Sequence, residues 1–125
     1  RMPLYCTGLG KALLAYAPRD LLERVVAAGL QRQTPRTIIA PGLLREELRR
    51  VVREGVAFEH EESAPGIVCV AAPVRDANEQ ALAAVSVTGP VTRFRPEQHV
   101  ASVRAAADGI TTTLARRRSM TRRED

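Results

Sequence analysis

Apolar residues recur at helical spacing along much of the chain and predict four helices. The first is capped by Thr7 and stopped by Pro18. The other three each present one apolar face, formed by Leu21, Leu22, Val25 and Val26, by Leu44, Leu48, Val51 and Val52, and by Val100, Val103, Ala107, Ile110 and Leu114. Gly29 and Gly55 are expected to end the second and third helices, and Pro96 suits the first turn of the last.

The segments between the third and fourth helices have the pattern of strands. Residues 56–62 alternate apolar and polar, residues 67–74 are almost wholly apolar, and residues 81–88 follow a polar turn. Residues 34–39 are expected to be extended because a proline disfavours helix in the residue before it. Helices followed by antiparallel strands and a long final helix predict an α+β fold, with one domain in residues 1–115 and a basic tail in residues 116–125.

The predicted hairpin gathers polar side chains on one face of the sheet. If Val74 lies opposite Ala81, Cys69 lies opposite Ser86 and residue 67 lies opposite Thr88. Side chains on one face of a strand recur at every second residue. This register therefore places a thiol and two hydroxyls together in an apolar sheet.

Charge and composition argue against a protein that recognises nucleic acid. The formal net charge is +5, but residues 116–125 hold five arginines and only two acids, so the remaining body is close to neutral. We expect this tail to be a frayed terminus. Aromatic residues make up 3% of the chain, too few for a base-stacking platform.

The two cysteines, Cys6 and Cys69, lie far apart and outside any CxxC spacing, which argues against a zinc site or a disulfide framework. We therefore expect the protein to be located in a reducing cytoplasm. Neither an export signal nor an apolar run long enough to span a membrane is present. The chain begins with Arg1-Met2, and we expect it to be part of a longer protein.

Catalytic and metal-binding hypotheses for Cys69 and for residues 59–62 must be weighed against simpler structural interpretations. Cys69 could be a nucleophile, but neither His60 nor His99 is placed by sequence to take its proton. The favoured interpretation is that Cys69 is a small buried residue whose thiol has a pKa near or above its ordinary value. Alternation separates the acids of residues 59–62 onto two faces, which favours a solvated edge strand over a metal site. Glu59 could nevertheless turn inward to accept a hydrogen bond from a ligand.

The glycine-containing segment 8–11 is similar to a phosphate loop only superficially. It lacks the first glycine of that motif, and Ala12 stands where Ser or Thr would bind magnesium. Glycines that let the chain turn tightly into a helix are the simpler interpretation. A helix start still offers free backbone N–H groups that can hold a small carboxylate.

Five motifs in order resemble the C-terminal effector-binding domain of IclR-family bacterial transcriptional regulators. They are PLYCTGLGKALLA at 3–15, TPRTI at 34–38, GVA at 55–57 followed by EE at 61–62, GIVCVAAPV at 66–74, and AVSVTGP at 84–90. The resemblance implies a GAF-like curved antiparallel sheet flanked by helices, without the earliest strand and helix of such a domain. It also implies an N-terminal winged helix-turn-helix that binds DNA and is absent from this chain.

The same resemblance implies a ligand pocket and the residues that line it: Gly8, Leu9, Glu59, Cys69, Ser86 and Thr88. Glu79 stands where the family commonly has glycine in the turn, so we expect Asn78 to take the positive-φ position. The prediction is an effector sensor with no catalytic residues, no metal and no cofactor, which binds a small organic acid and forms a homodimer or homotetramer. An enzyme that uses Cys69 and a ligand-free dimerisation module based on residues 56–62 remain the alternatives.

Overall fold

The computed structural model describes the backbone of residues 3–124 and the side chains of residues 3–117. Its elements in chain order are α1 (Gly8–Ala15), α2 (Arg19–Ala28), α3 (Pro41–Glu54), β1 (Ala57–His60), β2 (Ile67–Arg75), β3 (Ala81–Pro90), a 3₁₀ turn (Pro96–His99) and α4 (Val100–Glu124). The predicted α+β fold, with its antiparallel sheet and long final helix, is confirmed.

Local chemistry explains where the helices begin and end. The Thr7 hydroxyl accepts a hydrogen bond from the backbone N–H of Gly10 at 2.9 Å and caps α1. Gly55 ends α3 in the left-handed conformation, with φ of 76°. Residues 33–36 form a bend and turn rather than the extended chain that the sequence predicts. There the Thr37 hydroxyl accepts from the N–H groups of Gln33 and Thr34, which bends the backbone.

The sheet has the order β1-β2-β3, with both pairs antiparallel. The predicted register was wrong by two residues: Cys69 lies opposite Thr88, and Ser86 lies opposite Ala71. An irregularity beside Val74 shifts the pairing there. Because a two-residue shift keeps the side-chain alternation, the predicted common face survives.

The turn between β2 and β3 also differs from the prediction. Glu79 takes the positive-φ position, with φ of 64°, and Asn78 does not. The Asp76 side chain accepts hydrogen bonds from the backbone N–H groups of Asn78 and Gln80. This carboxylate already fixes the turn around residue 78 and leaves the left-handed position to residue 79.

Helices cover both faces of the central strand β2. Val70, Ala72 and Val74 pack towards α4, where they meet Val103 and Ala107. The intervening positions of β2 face α1 and α3, where Ala71 joins Ala12, Val51 and Ala57. The result is a layer of α1 and α3, the sheet, and a layer of α4.

Three residues predicted on apolar helix faces are more exposed than expected. Val52 of α3 is 49% exposed, and Ile110 and Leu114 of α4 are 44% and 36% exposed. The apolar stripe of α4 is therefore covered only where the helix crosses the sheet. The backbone of α4 continues to Glu124, but the side chains of most of the predicted basic tail lie outside the described residues. None of the helices in the described part of the chain is both long and apolar enough to cross a bilayer.

Candidate functional site

A cleft of about 450 Å³ lies between the start of α1 and one face of the sheet. Its walls combine apolar side chains with a small number of polar groups. It is lined by Leu4, Thr7, Gly8, Leu9, Gly10, Leu13, Glu59, Ser63, Ile67, Cys69, Ser86 and Thr88. All six residues predicted as a ligand site are thus brought together around one cavity.

The strand register explains why three of these residues meet. Glu59 of β1 lies directly opposite Cys69 of β2, and Cys69 lies directly opposite Thr88 of β3. The three side chains form one row across the sheet, because paired residues in adjacent strands point to the same face. Ser86 stands two positions from Thr88 and faces the same way. This row is the floor of the cleft.

The first turn of α1 closes over that floor. A β-carbon at Gly8 would lie 2.8 Å from the Cys69 sulfur, so only glycine lets α1 approach the sheet this closely. The backbone N–H of Gly8 donates to Glu59 Oε1 at 3.3 Å, and that of Lys11 donates to the Thr7 carbonyl at 2.9 Å. Among the residues that the structure describes, none accepts a hydrogen bond from the N–H of Leu9. This donor is available to a ligand at the positive end of the helix.

Glu59 is the acidic group of the cleft and is only 3% exposed. Its second oxygen, Oε2, accepts from the backbone N–H of Ser63 at 3.0 Å and from the Ser63 hydroxyl. A carboxylate has about four acceptor positions, so Glu59 keeps capacity for one more donor. The interpretation of residues 56–62 as a solvated edge strand was wrong, since Ala57, Glu59 and Glu62 are buried.

Cys69 has the properties of a pocket wall rather than of a nucleophile. Burial raises the pKa of its thiol, and the Glu59 carboxylate raises it further, although hydrogen bonds from Thr88 and Ser86 act in the opposite direction. His60 is on β1 next to Glu59 and so points to the opposite face of the sheet, and His99 stacks on Phe94 at 4.6 Å. A reactive cysteine needs a lowered pKa, and these surroundings give the reverse.

Behind the cleft lies a buried ionic cluster that sequence reasoning missed. Lys11 is the only lysine of the chain, is fully buried, and lies 2.7 Å from Glu47 Oε2 and 2.9 Å from Glu62 Oε1. Burial tends to raise the pKa of Glu47, but the Lys11 ammonium and Arg50 outweigh it and hold that pKa below its ordinary value. The cluster ties α1 to α3 and to the segment after β1. Its partners are 36 and 51 residues apart in sequence, so no local spacing could reveal it.

No metal site emerges from the acids near His60. Within the side chains described, residues 3–117, no three His, Cys, Asp or Glu residues are grouped so that they could hold a metal ion. Glu59 and Glu62 instead accept hydrogen bonds from backbone N–H groups, and Glu62 is also paired with Lys11. Glu62 is thus committed to the fold, and Glu59 has room for only one further donor.

The comparison with known proteins agrees with this architecture. The family profile described as "Bacterial transcriptional regulator IclR C-terminal" matches residues 1–112. The chain belongs to the IclR family. Its matched region is the C-terminal effector-binding domain, which confirms the resemblance seen in the motifs.

Individual relatives support the same assignment. The transcriptional repressor AllR of Klebsiella pneumoniae is 37% identical over 118 residues, which cover 91% of this chain and 43% of AllR. The C-terminal domain of Escherichia coli KdgR has a TM-score of 0.78 and 34% identity, with 88% of this chain and 70% of that chain covered. The inducer-binding domain of a PobR double mutant from Acinetobacter, in complex with 3-hydroxybenzoic acid, has a TM-score of 0.80 and 27% identity, covering 89% and 66%.

The chain spans less than half the length of the curated AllR relatives that it matches. These relatives are named transcriptional regulators, so the domain is regulatory rather than enzymatic. In this IclR-family domain, the cleft at α1 is the candidate effector site.

Proposed function

We propose that this IclR-family domain senses a small hydroxylated organic acid, which binds in the cleft between α1 and the sheet. The observation that carries the proposal is the convergence of Glu59, Cys69, Ser86 and Thr88 on one cavity under the start of α1. At about 450 Å³, the cavity falls within the size range of ligand pockets.

The polar groups of the cleft suit a ligand that has both acceptors and a donor. The unpaired N–H of Leu9 and the hydroxyls of Ser86 and Thr88 can donate to carboxylate oxygens. Glu59 can only accept, so it favours a ligand hydroxyl pointing towards β1. A ligand carboxylate is expected to lie away from Glu59, because two like charges at close range repel each other. The complex of the PobR domain with a hydroxybenzoic acid supports this ligand class.

In the full-length protein, effector binding is proposed to modulate DNA binding by an N-terminal winged helix-turn-helix. We further propose a cytoplasmic protein that acts as a homodimer or homotetramer. The 125-residue chain by itself is expected to bind DNA only weakly and without sequence preference, chiefly through the arginines of residues 116–123.

A thermal-shift screen tests the proposed ligand class. The panel pairs small hydroxy, keto and aromatic carboxylic acids with the neutral amide of each acid. We expect at least one hydroxy acid, but not its amide, to raise the melting temperature in a saturable way. Stabilisation by neutral hydrocarbons alone would overturn the proposal. Ester or amide hydrolysis that disappears in Cys69→Ser while binding persists would favour the enzyme alternative.

A further inference from the structure

A second cavity, of about 630 Å³, lies between the end of α1 and the helices α2 and α3, and it shares no lining residue with the effector cleft. We call it the arginine-rimmed groove. Its rim carries Arg19 from the start of α2 and Arg45, Arg49 and Arg53 from α3, together with one acid, Glu23 of α2. Leu22, Leu48 and Val52 make part of its lining apolar.

The rim has an excess of positive charge, with four arginines against one glutamate. All four are exposed, and none has an ion-pair partner among the side chains described in residues 3–117. The same two helices pair other arginines with acids: Arg24 with Asp20 at 3.2 Å, and Arg50 with Glu47 at 2.6 Å. Like charges one turn apart destabilise a helix, so the stripe at positions 45, 49 and 53 costs α3 some stability. A bound partner of opposite charge would remove that cost.

The apolar part of the groove is also incompletely covered. Val52 is 49% exposed, although it lies on the face of α3 that sequence periodicity assigns to the core. No residue of α2 is fully buried, so its apolar face is covered only in part. An exposed apolar strip beside a charged stripe is typical of a surface that receives an amphipathic partner.

The spacing of the arginines identifies the kind of partner. Positions 45, 49 and 53 lie at i, i+4 and i+8, so the stripe extends about 12 Å along α3. A helix with carboxylates at i, i+4 and i+8 repeats the same spacing and can place an apolar stripe against Leu22 and Val52. A small carboxylic acid would engage only one or two of the arginines. DNA phosphates match their charge but gain nothing from the apolar lining.

We propose that the arginine-rimmed groove docks an acidic amphipathic helix of a partner protein. The test uses a fluorescein-labelled synthetic helix of about 16 residues, with glutamates at i, i+4 and i+8 beside a leucine stripe. Fluorescence anisotropy with the 125-residue chain is expected to show saturable binding that weakens as salt is added.

Two variants alter the groove by different chemistry. Arg49→Glu is expected to weaken peptide binding about tenfold, because it removes one attraction and adds a repulsion. Val52→Asp is expected to weaken it to a similar extent by placing a charge on the apolar lining. Arg36→Glu is the matched control, since Arg36 is exposed and lies outside the groove; it should leave affinity within about twofold. Circular dichroism verifies that the variants are folded.

Three results would overturn the proposal. They are equal binding of a peptide with lysine in place of each glutamate, unchanged affinity in Arg49→Glu, and tighter binding of duplex DNA or dodecanoate at the same arginines. The effector cleft is assayed separately by titrating a hydroxy acid into Arg49→Glu. Because the two sites share no lining residue, each proposal can fail without the other.

Discussion

Replacement of Lys11 by methionine is expected to destabilise the domain by about 3–5 kcal/mol at pH 7, the usual cost of breaking a buried ion pair on one side. Methionine keeps much of the apolar stem but removes the ammonium. The carboxylates that lie 2.7 Å and 2.9 Å from it, those of Glu47 and Glu62, have side chains only 12% and 8% exposed. Water cannot replace the lost cation well at that depth, so the variant carries an uncompensated buried charge.

The pH dependence follows from the pKa of Glu47. In the parent this pKa lies below its ordinary value, despite burial, because Lys11 and Arg50 favour the ionised form. A carboxylate whose pKa is lower in the folded state than in the unfolded state stabilises the fold, and this stabilisation is complete above the unfolded-state pKa of about 4.5. It is lost as the pH falls through the folded-state pKa. Removing Lys11 removes much of that depression. The destabilisation caused by Lys11→Met is therefore expected to be largest near neutral pH and to shrink in acid.

Urea unfolding monitored by circular dichroism at pH 7 and at pH 4 measures both effects. Arg24→Met is the matched control: Arg24 pairs with Asp20 in water, and its loss is expected to change stability by less than about 0.5 kcal/mol. The double variant Lys11→Met/Glu62→Gln should be more stable than Lys11→Met because one orphaned charge is gone. If Lys11→Met stays within about 1 kcal/mol of the parent at pH 7, the argument from buried charge fails.

The remaining predictions concern packing, thiols and DNA. Gly10→Ala should destabilise the domain by about 1–3 kcal/mol in urea unfolding, because its β-carbon would overlap the Leu4 carbonyl oxygen. A β-carbon at Gly109 meets nothing within 4 Å, so Gly109→Ala should be neutral or stabilising. Equal effects of the two substitutions would contradict this packing. Cys6, whose pKa burial raises to about 11, should react with a thiol reagent at pH 7 only when the protein unfolds, and rapid labelling of Cys6 in the folded chain would refute its burial. An electrophoretic mobility shift with the 125-residue chain should show only weak binding to DNA that disappears as salt rises, and tight binding to one sequence would contradict it.

Local signals predicted the elements well because each depends on residues close in sequence. Thr7 caps α1, Gly55 ends α3, and the apolar run of β2 becomes the central strand, as expected. The hairpin register was wrong because pairing depends on the irregularity beside Val74, which has no distinct sequence signature. The common face of Cys69 and its neighbours survived because the error was an even number of residues.

Features that depend on distant partners could not be predicted in this way. Glu62 was interpreted as part of a solvated edge strand, yet it is buried and pairs with Lys11 in the interior. Val52 fits the apolar face of α3 by periodicity, but its exposure depends on how closely α2 approaches. The candidate cleft could be assembled from sequence because the family resemblance supplied the long-range relation between α1 and the sheet. The geometry places the same residues around one cavity.

Calorimetric titration of the strongest hydroxy acid from the screen into the parent, Ser86→Ala and Cys69→Ser tests the effector site most directly. Ser86→Ala should lose about 1.5–3 kcal/mol of binding free energy if its hydroxyl meets the ligand carboxylate, and Cys69→Ser should shift it by on the order of 1 kcal/mol. Thr112→Ala, which removes an exposed hydroxyl from α4 outside the cleft, should bind as the parent does. Unchanged affinity in Ser86→Ala, with the folded state intact, would contradict the assignment of this cleft as the effector site.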